Sequence, residues 1–237
     1  MRYLEPPMKF EPGLMKFVPD LFKKQEKQLI TFDLDETLIH AKKAHWLAFS
    51  EAFKISKLPE IKYSKISKLL DGRHAHEVVK SLFPRLDKNT VDKIAELHRK
   101  FIYKKYGKYA RPIKGAVKTL KRLKKNYLLA LVTNCNHDEA DSFLKAAGID
   151  KRLFDAIIGK DDVKRSKPYP DEFLKAERRL KTKVLFHIGD SIYDIIAARR
   201  AGVKVISVLT GVTKKERLKK EKPYKIIKSV KELDKIL

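Results

Sequence analysis

Five short apolar segments are the feature that most constrains the fold of this chain. Apolar residues dominate each of them, and each is typical of a buried strand: 28–32, 127–133, 155–158, 183–188 and 203–209. Helical patterns separate the last four: 113–124, 137–147, 170–180 and 192–201. Strands that alternate with helices form a parallel sheet covered on both faces, with ligand sites at the carboxyl ends of the strands. The sequence therefore predicts an α/β fold.

The region between the first two strands breaks this alternation. Residues 41–108 are typical of consecutive helices, over 41–56, 63–70, 75–83 and 88–106. About seventy residues is too long for a simple crossover between strands. We therefore expect a Rossmann-like, three-layer core domain made of 28–40 and 109–237, with an inserted α-helical cap domain at 41–108. We expect residues 1–27 to be an N-terminal extension, either irregular and packed on the core or partly disordered, and the sequence assigns it no role.

Composition excludes several classes of protein. With 43% hydrophobic residues the chain is too apolar for a disordered segment, and no apolar run approaches the ~20 residues that span a bilayer. The N-terminal sequence has no secretory signal pattern, and the single cysteine, Cys135, suits a reducing compartment, so a cytoplasmic location is expected. The 55 basic and 30 acidic residues give a net charge of +25. That excess indicates either a lysine-rich solvated surface or an anionic partner.

Two pairs of carboxylates stand at predicted strand ends. Asp33 and Asp35 follow the first strand and lie on the same side of an extended chain. Asp190 and Asp194 follow the fourth strand, four residues apart at the start of a helix, and therefore also share one side. Burying carboxylates is costly unless a metal or a basic group compensates. These pairs therefore predict a divalent-cation site.

Two further strand ends carry groups that suit a bound phosphate. Thr133 and Asn134 follow the second strand, and their hydroxyl and amide can hydrogen-bond phosphoryl oxygens without adding charge. Lys167 follows the third strand, just ahead of a helix, where Pro168 and Pro170 restrict the backbone. Its ammonium group can neutralise both a phosphate and a nucleophile. The carboxyl ends of parallel strands meet at one edge, so these groups are expected to converge.

In chain order, these residues resemble the four motifs of the haloacid dehalogenase superfamily of phosphohydrolases. The matching segments are Asp33-Leu34-Asp35-Glu36-Thr37, Thr133-Asn134, Lys167 and Gly189-Asp190-Ser191-Ile192-Tyr193-Asp194. The similarity extends over about 28–213. The helical insertion is similar to the caps of the phosphoglycolate phosphatase and phosphoglucomutase branch. Four ordered motifs at strand ends are a far more specific signal than any one of them.

The resemblance implies a role for each carboxylate. Asp33 would attack the substrate phosphorus and become a transient aspartyl-phosphate, while Asp35 would protonate the leaving alcohol and then activate water. Mg²⁺ would be held by Asp33, Asp190 and the backbone carbonyl of Asp35, with Asp194 as an outer-shell or alternate ligand. The similar dehalogenases lack the second aspartate of the first motif, so Asp35 argues against dehalogenation.

Two positions carry weaker signals. Glu36 stands where many relatives have glycine, which alters the turn but leaves the chemistry intact. Arg73, in the turn at 71–76 of the predicted cap, is the candidate for contacting a carboxylate or hydroxyl group of the substrate. Arg73 can equally be a solvated surface charge.

Together these features predict a Mg²⁺-dependent phosphatase for a small phosphorylated metabolite, with phosphoglycolate the leading substrate by resemblance alone. A phosphomutase of similar architecture is the closest alternative. A nucleic-acid-binding protein on a retained phosphatase fold is the other, motivated by the net charge and by the basic runs at 121–125 and 214–220. Aromatic residues are not interleaved in those runs, and a pure binding module has no need of Asp35 or Lys167. The sequence indicates no membrane partner and leaves the oligomeric state open.

Overall fold

A computed structural model describes residues 27–237 of the protein, so the prediction for 1–27 lies almost wholly outside the described residues. The main sheet is built from six strands: β1 (Leu29–Phe32), β4 (Leu128–Val132), β5 (Ala156–Ile158), β6 (Val184–Gly189), β7 (Lys204–Val208) and β8 (Lys225–Ile227). A second, two-stranded sheet pairs β2 (Ile39–His40) with β3 (Arg111–Pro112). Nine α-helices are described: α1 (Lys42–Ile55), α2 (Tyr63–Ile66), α3 (Ala75–Leu82), α4 (Lys88–Phe101), α5 (Ala116–Asn126), α6 (His137–Ala146), α7 (Asp171–Leu180), α8 (Ile192–Arg200) and α9 (Lys215–Lys220). Within 27–237, none of them has the length and apolar character required to cross a bilayer.

All the neighbouring strands of the main sheet are parallel, in the order β5-β4-β1-β6-β7-β8. The predicted α/β fold with a parallel sheet is confirmed. β1 lies between β4 and β6, so the carboxyl ends of these three strands meet at the centre of one edge. This is the position at which open parallel sheets bind their ligands.

Alternate residues of β1 pack into different apolar clusters. Ile30 and Phe32 belong to a cluster that includes Phe143 of α6, whereas Leu29 belongs to one that includes Phe173 of α7. Since successive side chains of a strand point to opposite faces, these clusters cover the two faces of the sheet. The core is therefore three-layered, as the near-continuous apolar strands indicate.

The predicted helix at 113–124 begins later than the periodicity suggested. Gly115 precedes α5 with φ 89°, a left-handed conformation that glycine adopts without steric cost, and the helix begins at Ala116. The prediction also missed β8 and the pair β2–β3. β8 has three residues and begins with an exposed lysine, while β2 and β3 have two residues each, too few to show a period.

Helices α1 to α4 lie between β2 and β3 in the chain and share an apolar cluster of their own, which includes Phe49, Phe53, Val79 and Ile94. The expected long helix at 88–106 is α4 followed by a five-residue π-helical segment, Ile102–Tyr106. The predicted helix at 63–70 is α2 followed by a short 3₁₀ turn. The division of the chain into a core domain and a cap domain at 41–108 stays a prediction.

Candidate functional site

Lys167 connects two of the predicted strand-end carboxylates. Its Nζ donates hydrogen bonds to Asp33 Oδ1 at 2.7 Å and Asp194 Oδ1 at 2.7 Å, and to the carbonyl of Val132 at 3.0 Å. The lysine is 2% exposed. Burial alone would lower its pKa, but Asp194 and Asp33 raise it above its usual range, so Lys167 is an ammonium ion at neutral pH.

Asp194 is almost fully engaged by the protein. Besides Lys167, its Oδ1 lies 3.1 Å from His187 Nε2, and its Oδ2 accepts hydrogen bonds from the backbone N and the hydroxyl of Ser191 at 3.0 and 2.6 Å. Burial works against its ionised form, but Lys167 and His187 outweigh burial and lower the pKa of Asp194 well below its usual value. Asp194 therefore positions Lys167 and the start of α8.

Asp33, Asp190 and Asp194 each offer a carboxylate oxygen, and these oxygens lie within 4.8 Å of one another. Burial raises the pKa of Asp33 to about 7, with Lys167 opposing this and Asp194 adding to it. Burial, followed by Asp33 and Asp194, raises the pKa of Asp190 well above its usual value. One ammonium ion thus faces three buried carboxylates.

This donor set fits a hard divalent cation. Carboxylate oxygens are the ligands that Mg²⁺ prefers, and its charge would offset the burial and the mutual repulsion that raise the pKa values of Asp33 and Asp190. Thr37 Oγ1 donates to Asp190 Oδ1 at 3.2 Å and fixes the orientation of that carboxylate. The ligand role of the Asp35 carbonyl stays a prediction.

The predicted phosphate-binding residues lie beside this cluster, after β4. Thr133 Oγ1 accepts a hydrogen bond from the backbone N of Cys135 at 3.2 Å. Asn134 Nδ2 donates to the carbonyls of Gly72 and Lys167 at 2.8 and 3.2 Å, while Asn134 Oδ1 is buried without a partner in the structure. Asn134 therefore joins the turn at 71–76 to the loop that carries Lys167, and its contact with a phosphoryl group stays a prediction.

Gly72 is the point at which that turn approaches the core. It has φ 92°, and a Cβ there would lie 2.6 Å from Ser191 Oγ. Both the backbone conformation and the close approach favour glycine. The contact explains why a turn far away in sequence reaches Asn134.

Arg73, the predicted substrate contact, lines the cavity above the site but is already paired. Its Nε and Nη2 donate to the two oxygens of Asp71 at 2.7 and 2.9 Å, and its Nη1 donates to Ser81 Oγ at 3.1 Å. Its contact with substrate stays a prediction, and its charge is balanced by Asp71.

Two histidines that sequence reasoning missed support Asp35. His45 Nε2 lies 2.9 Å from Asp35 Oδ2, and His45 Nδ1 lies 3.0 Å from His98 Nε2. Burial alone would lower the pKa of His45, but the Asp35 carboxylate raises it, whereas burial and then His45 lower that of His98 well below its usual value. When His45 carries a proton on both ring nitrogens, it donates to Asp35 from Nε2 and to His98 from Nδ1. The other oxygen of Asp35, Oδ1, is buried without a partner in the structure.

Glu36 occupies the glycine-like position of the first motif with φ 57°. Its carboxylate accepts hydrogen bonds from the backbone N of Ala41 at 3.0 Å and of Lys42 at 3.3 Å, and it pairs with Lys42 Nζ at 3.0 Å. These contacts offset the cost of a left-handed conformation for a residue with a Cβ. Glu36 thus stabilises the start of α1.

A cavity of about 340 Å³ lies over the carboxylate cluster. Asp33, Asp35, Lys167 and Asp190 line it on the core side, and residues of α1, α3 and α4 line it on the opposite side. A reacting group at Asp33 would therefore be covered by the helices of the insertion. Such covering excludes water from the reacting centre.

Comparison with known proteins agrees with this geometry. Residues 30–208 match the family model of haloacid dehalogenase-like hydrolases. The chain is 29% identical over 215 residues to pyrophosphatase PpaX of Halalkalibacterium halodurans, covering 88% of this chain and 95% of that protein. It is 30% identical over 191 residues to phosphoglycolate phosphatase of Aquifex aeolicus, covering 79% and 87% of the two chains. The crystal structure of a predicted phosphoglycolate phosphatase from Haemophilus somnus superposes with a TM-score of 0.76 at 25% identity, covering 89% of this chain and 97% of that one. The predicted resemblance is confirmed, and the chain belongs to the haloacid dehalogenase-like hydrolase family.

Proposed function

We propose that this protein is a Mg²⁺-dependent phosphatase that hydrolyses a small phosphorylated metabolite through an aspartyl-phosphate on Asp33. The observation that carries the proposal is the 2.7 Å contact between Lys167 Nζ and Asp33 Oδ1 at the end of the central strand, beside Asp190 and Asp194. Asp33, Asp190 and the Asp35 carbonyl would hold the cation, with Asp194 outside it. When bound, Mg²⁺ supplies positive charge that stabilises the transferring phosphoryl group.

In the first half of the reaction, an oxygen of Asp33 bonds to phosphorus and the bond from phosphorus to the leaving oxygen breaks. That oxygen takes a proton from Asp35, whose Oδ1 has no partner in the structure and is free to face the leaving group. His45 holds the other oxygen of Asp35 at 2.9 Å. Lys167 neutralises charge as it builds up on Asp33 and on the phosphoryl oxygens.

In the second half, water attacks the phosphorus of the aspartyl-phosphate and gives a proton to Asp35. The bond between phosphorus and the Asp33 oxygen breaks, phosphate leaves, and the carboxylate is regenerated. Thr133 and Asn134 would hold the phosphoryl group during both steps.

Phosphoglycolate is the leading substrate, and pyrophosphate is the second. The proposal draws on the names of the relatives, one a phosphoglycolate phosphatase and one a pyrophosphatase. We propose the cytoplasm as the location, in keeping with the single cysteine.

The test is release of inorganic phosphate from phosphoglycolate, pyrophosphate and phenyl phosphate, with and without Mg²⁺, by the wild-type chain and by Asp33→Asn. We expect release only with Mg²⁺ and a loss of at least about 10³-fold in Asp33→Asn, because an amide cannot act as the nucleophile. Lys164→Met, at an exposed lysine away from the cluster, is the matched control. Unchanged turnover in Asp33→Asn would refute the proposal, and conversion of one sugar phosphate into another faster than release of phosphate would favour a phosphomutase.

A further inference from the structure

Lys160 reaches the cavity from the core side, on the loop after β5. Its backbone N donates to the carbonyl of Cys135 at 2.9 Å, which fixes it beside the loop that carries Thr133 and Asn134. The side chain is partly buried and lines the same cavity as Asp33. A cation at this position is available to a molecule whose phosphoryl group lies at Asp33.

The two carboxylates that follow Lys160 in the chain bind other groups. Asp161 accepts a hydrogen bond from the backbone N of His137, at 3.2 and 3.3 Å to its two oxygens. Asp162 contacts His137 Nε2 at 2.6 Å and Lys175 Nζ at 3.1 Å. Between residues 27 and 237, no carboxylate forms an ion pair with Lys160.

The other cations along the cavity have carboxylate partners. The pairs are Lys42 with Glu36, Arg73 with Asp71, Arg99 with Asp138, and Lys167 with Asp33 and Asp194. As far as the structure describes the chain, Lys160 is therefore the lysine or arginine of the cavity whose charge is unbalanced. An unbalanced, partly desolvated ammonium group is a binding site for an anion.

The neighbouring imidazoles add no positive charge there. Burial, followed by the charge of Lys160, lowers the pKa of His74 to about 4 and lowers that of His76. His74 Nε2 contacts the carbonyl of Lys167 and the hydroxyl of Ser166, both at 3.2 Å, so this nitrogen is already hydrogen-bonded within the protein. His76 Nε2 lies 3.2 Å from Asp92 Oδ1. Glu96 also lines the cavity, but it is exposed, so solvent screens its charge. Attraction for an anion in this part of the cavity therefore comes from Lys160.

We infer that Lys160 binds a second anionic group, a carboxylate or a phosphate, on the leaving group of the substrate. The substrate class is then small phosphate esters or anhydrides that carry a negative charge on both sides of the bond that breaks. This inference rests on the proposed phosphatase function and specifies its substrate.

The test compares kcat/KM for phosphoglycolate and pyrophosphate with kcat/KM for phenyl phosphate, whose leaving group carries no second anion. The variants are Lys160→Met, Lys160→Arg and the control Lys164→Met, which is exposed and absent from the cavity lining. For phosphoglycolate and for pyrophosphate, we take the ratio of kcat/KM to that for phenyl phosphate. We expect Lys160→Met to lower each ratio by about 10- to 100-fold, mainly through KM, as is typical for loss of a hydrogen bond to a charged group. Lys160→Arg should recover most of the ratio, and Lys164→Met should leave it within about twofold.

An equal loss for all three substrates, or no loss for any, would overturn the inference. Wild-type activity confined to phenyl phosphate would also overturn it, while leaving the phosphatase function intact. If the wild-type chain releases phosphate from none of the three with Mg²⁺ present, the proposed function fails, and the inference fails with it.

Discussion

Replacing His98 by phenylalanine is the sharpest probe of the two-histidine support of Asp35. His98 is 3% exposed, and its ring stacks on Phe49 with 3.9 Å between centroids, so a phenyl ring keeps the aromatic packing. What the change removes is Nε2, the acceptor 3.0 Å from His45 Nδ1. His98→Gln is the matched variant, because its amide oxygen can still accept that hydrogen bond.

The expected cost follows from the protonation state of His45. A buried N–H left without an acceptor costs ~1–3 kcal/mol. The pKa of His45 is raised above 6.5 in the folded protein, so the stabilising contribution of its charged form is fully present below pH 6.5 and is lost as pH rises through the raised value. Neither His98→Phe nor His98→Gln carries the His98 imidazole, whose lowered pKa destabilises the wild type below pH 6.5, so the two variants are compared with each other. The stability deficit of His98→Phe relative to His98→Gln should be largest below pH 6.5 and shrink in alkaline solution.

Urea unfolding of the wild type, His98→Phe and His98→Gln at pH 6 and pH 9 measures this difference. We expect His98→Phe to be ~1–3 kcal/mol less stable than His98→Gln at pH 6, and this difference to be smaller at pH 9. We also expect kcat to fall by about 10-fold, because a less well oriented Asp35 is a poorer general acid. A difference between the two variants that is the same at both pH values, together with unchanged kcat in His98→Phe, would refute the reasoning.

Three further predictions follow from the same site. Lys167→Met leaves Asp33 buried without its cation, so urea unfolding should show a loss of ~3–5 kcal/mol, against less than about 0.5 kcal/mol for the exposed control Lys164→Met. Glu36→Gly relieves a left-handed conformation worth ~1–2 kcal/mol but removes two hydrogen bonds and an ion pair worth about 1 kcal/mol each, so thermal unfolding should show a net loss of ~1–2 kcal/mol. Mg²⁺ at 100 times its dissociation constant should raise the free energy of unfolding by ~2.7 kcal/mol, as measured by urea unfolding with and without the ion. Asp190→Asn should abolish this increment and should show no Mg²⁺ binding in a calorimetric titration.

The main sheet was predictable because its strands are buried on both faces. Such strands are short runs of apolar residues, and the helices between them end at glycines: Gly148 and Gly202 have φ 64° and 74° just after α6 and α8. The edge strand β8 lacked that signal. Only its hydrogen-bonded pairing with β7 identifies it as a strand, because its three residues, one of them an exposed lysine, make no apolar run.

The strand-end residues of the site were predictable for a topological reason, since a parallel sheet brings its carboxyl ends together whatever the intervening loops do. The supporting residues were not. His45 and His98 lie among apolar residues of α1 and α4, where a lone histidine has no distinctive spacing, and their contact requires the packing of two helices. Likewise, only the ion pairs in the folded chain distinguish Lys160 from Arg73.

The charge at the site is opposite in sign to the charge of the protein as a whole. The chain carries +25, yet around Asp33 three buried carboxylates face one ammonium ion. An anionic substrate is drawn toward the positive surface but repelled by these carboxylates, and the electrostatic penalty is largest where the dielectric is lowest. In the proposed function, Lys160 offsets part of that repulsion at the leaving-group end and a divalent cation would offset it at the phosphoryl end. The arrangement thus favours a ligand with two negative groups, one for each centre of positive charge.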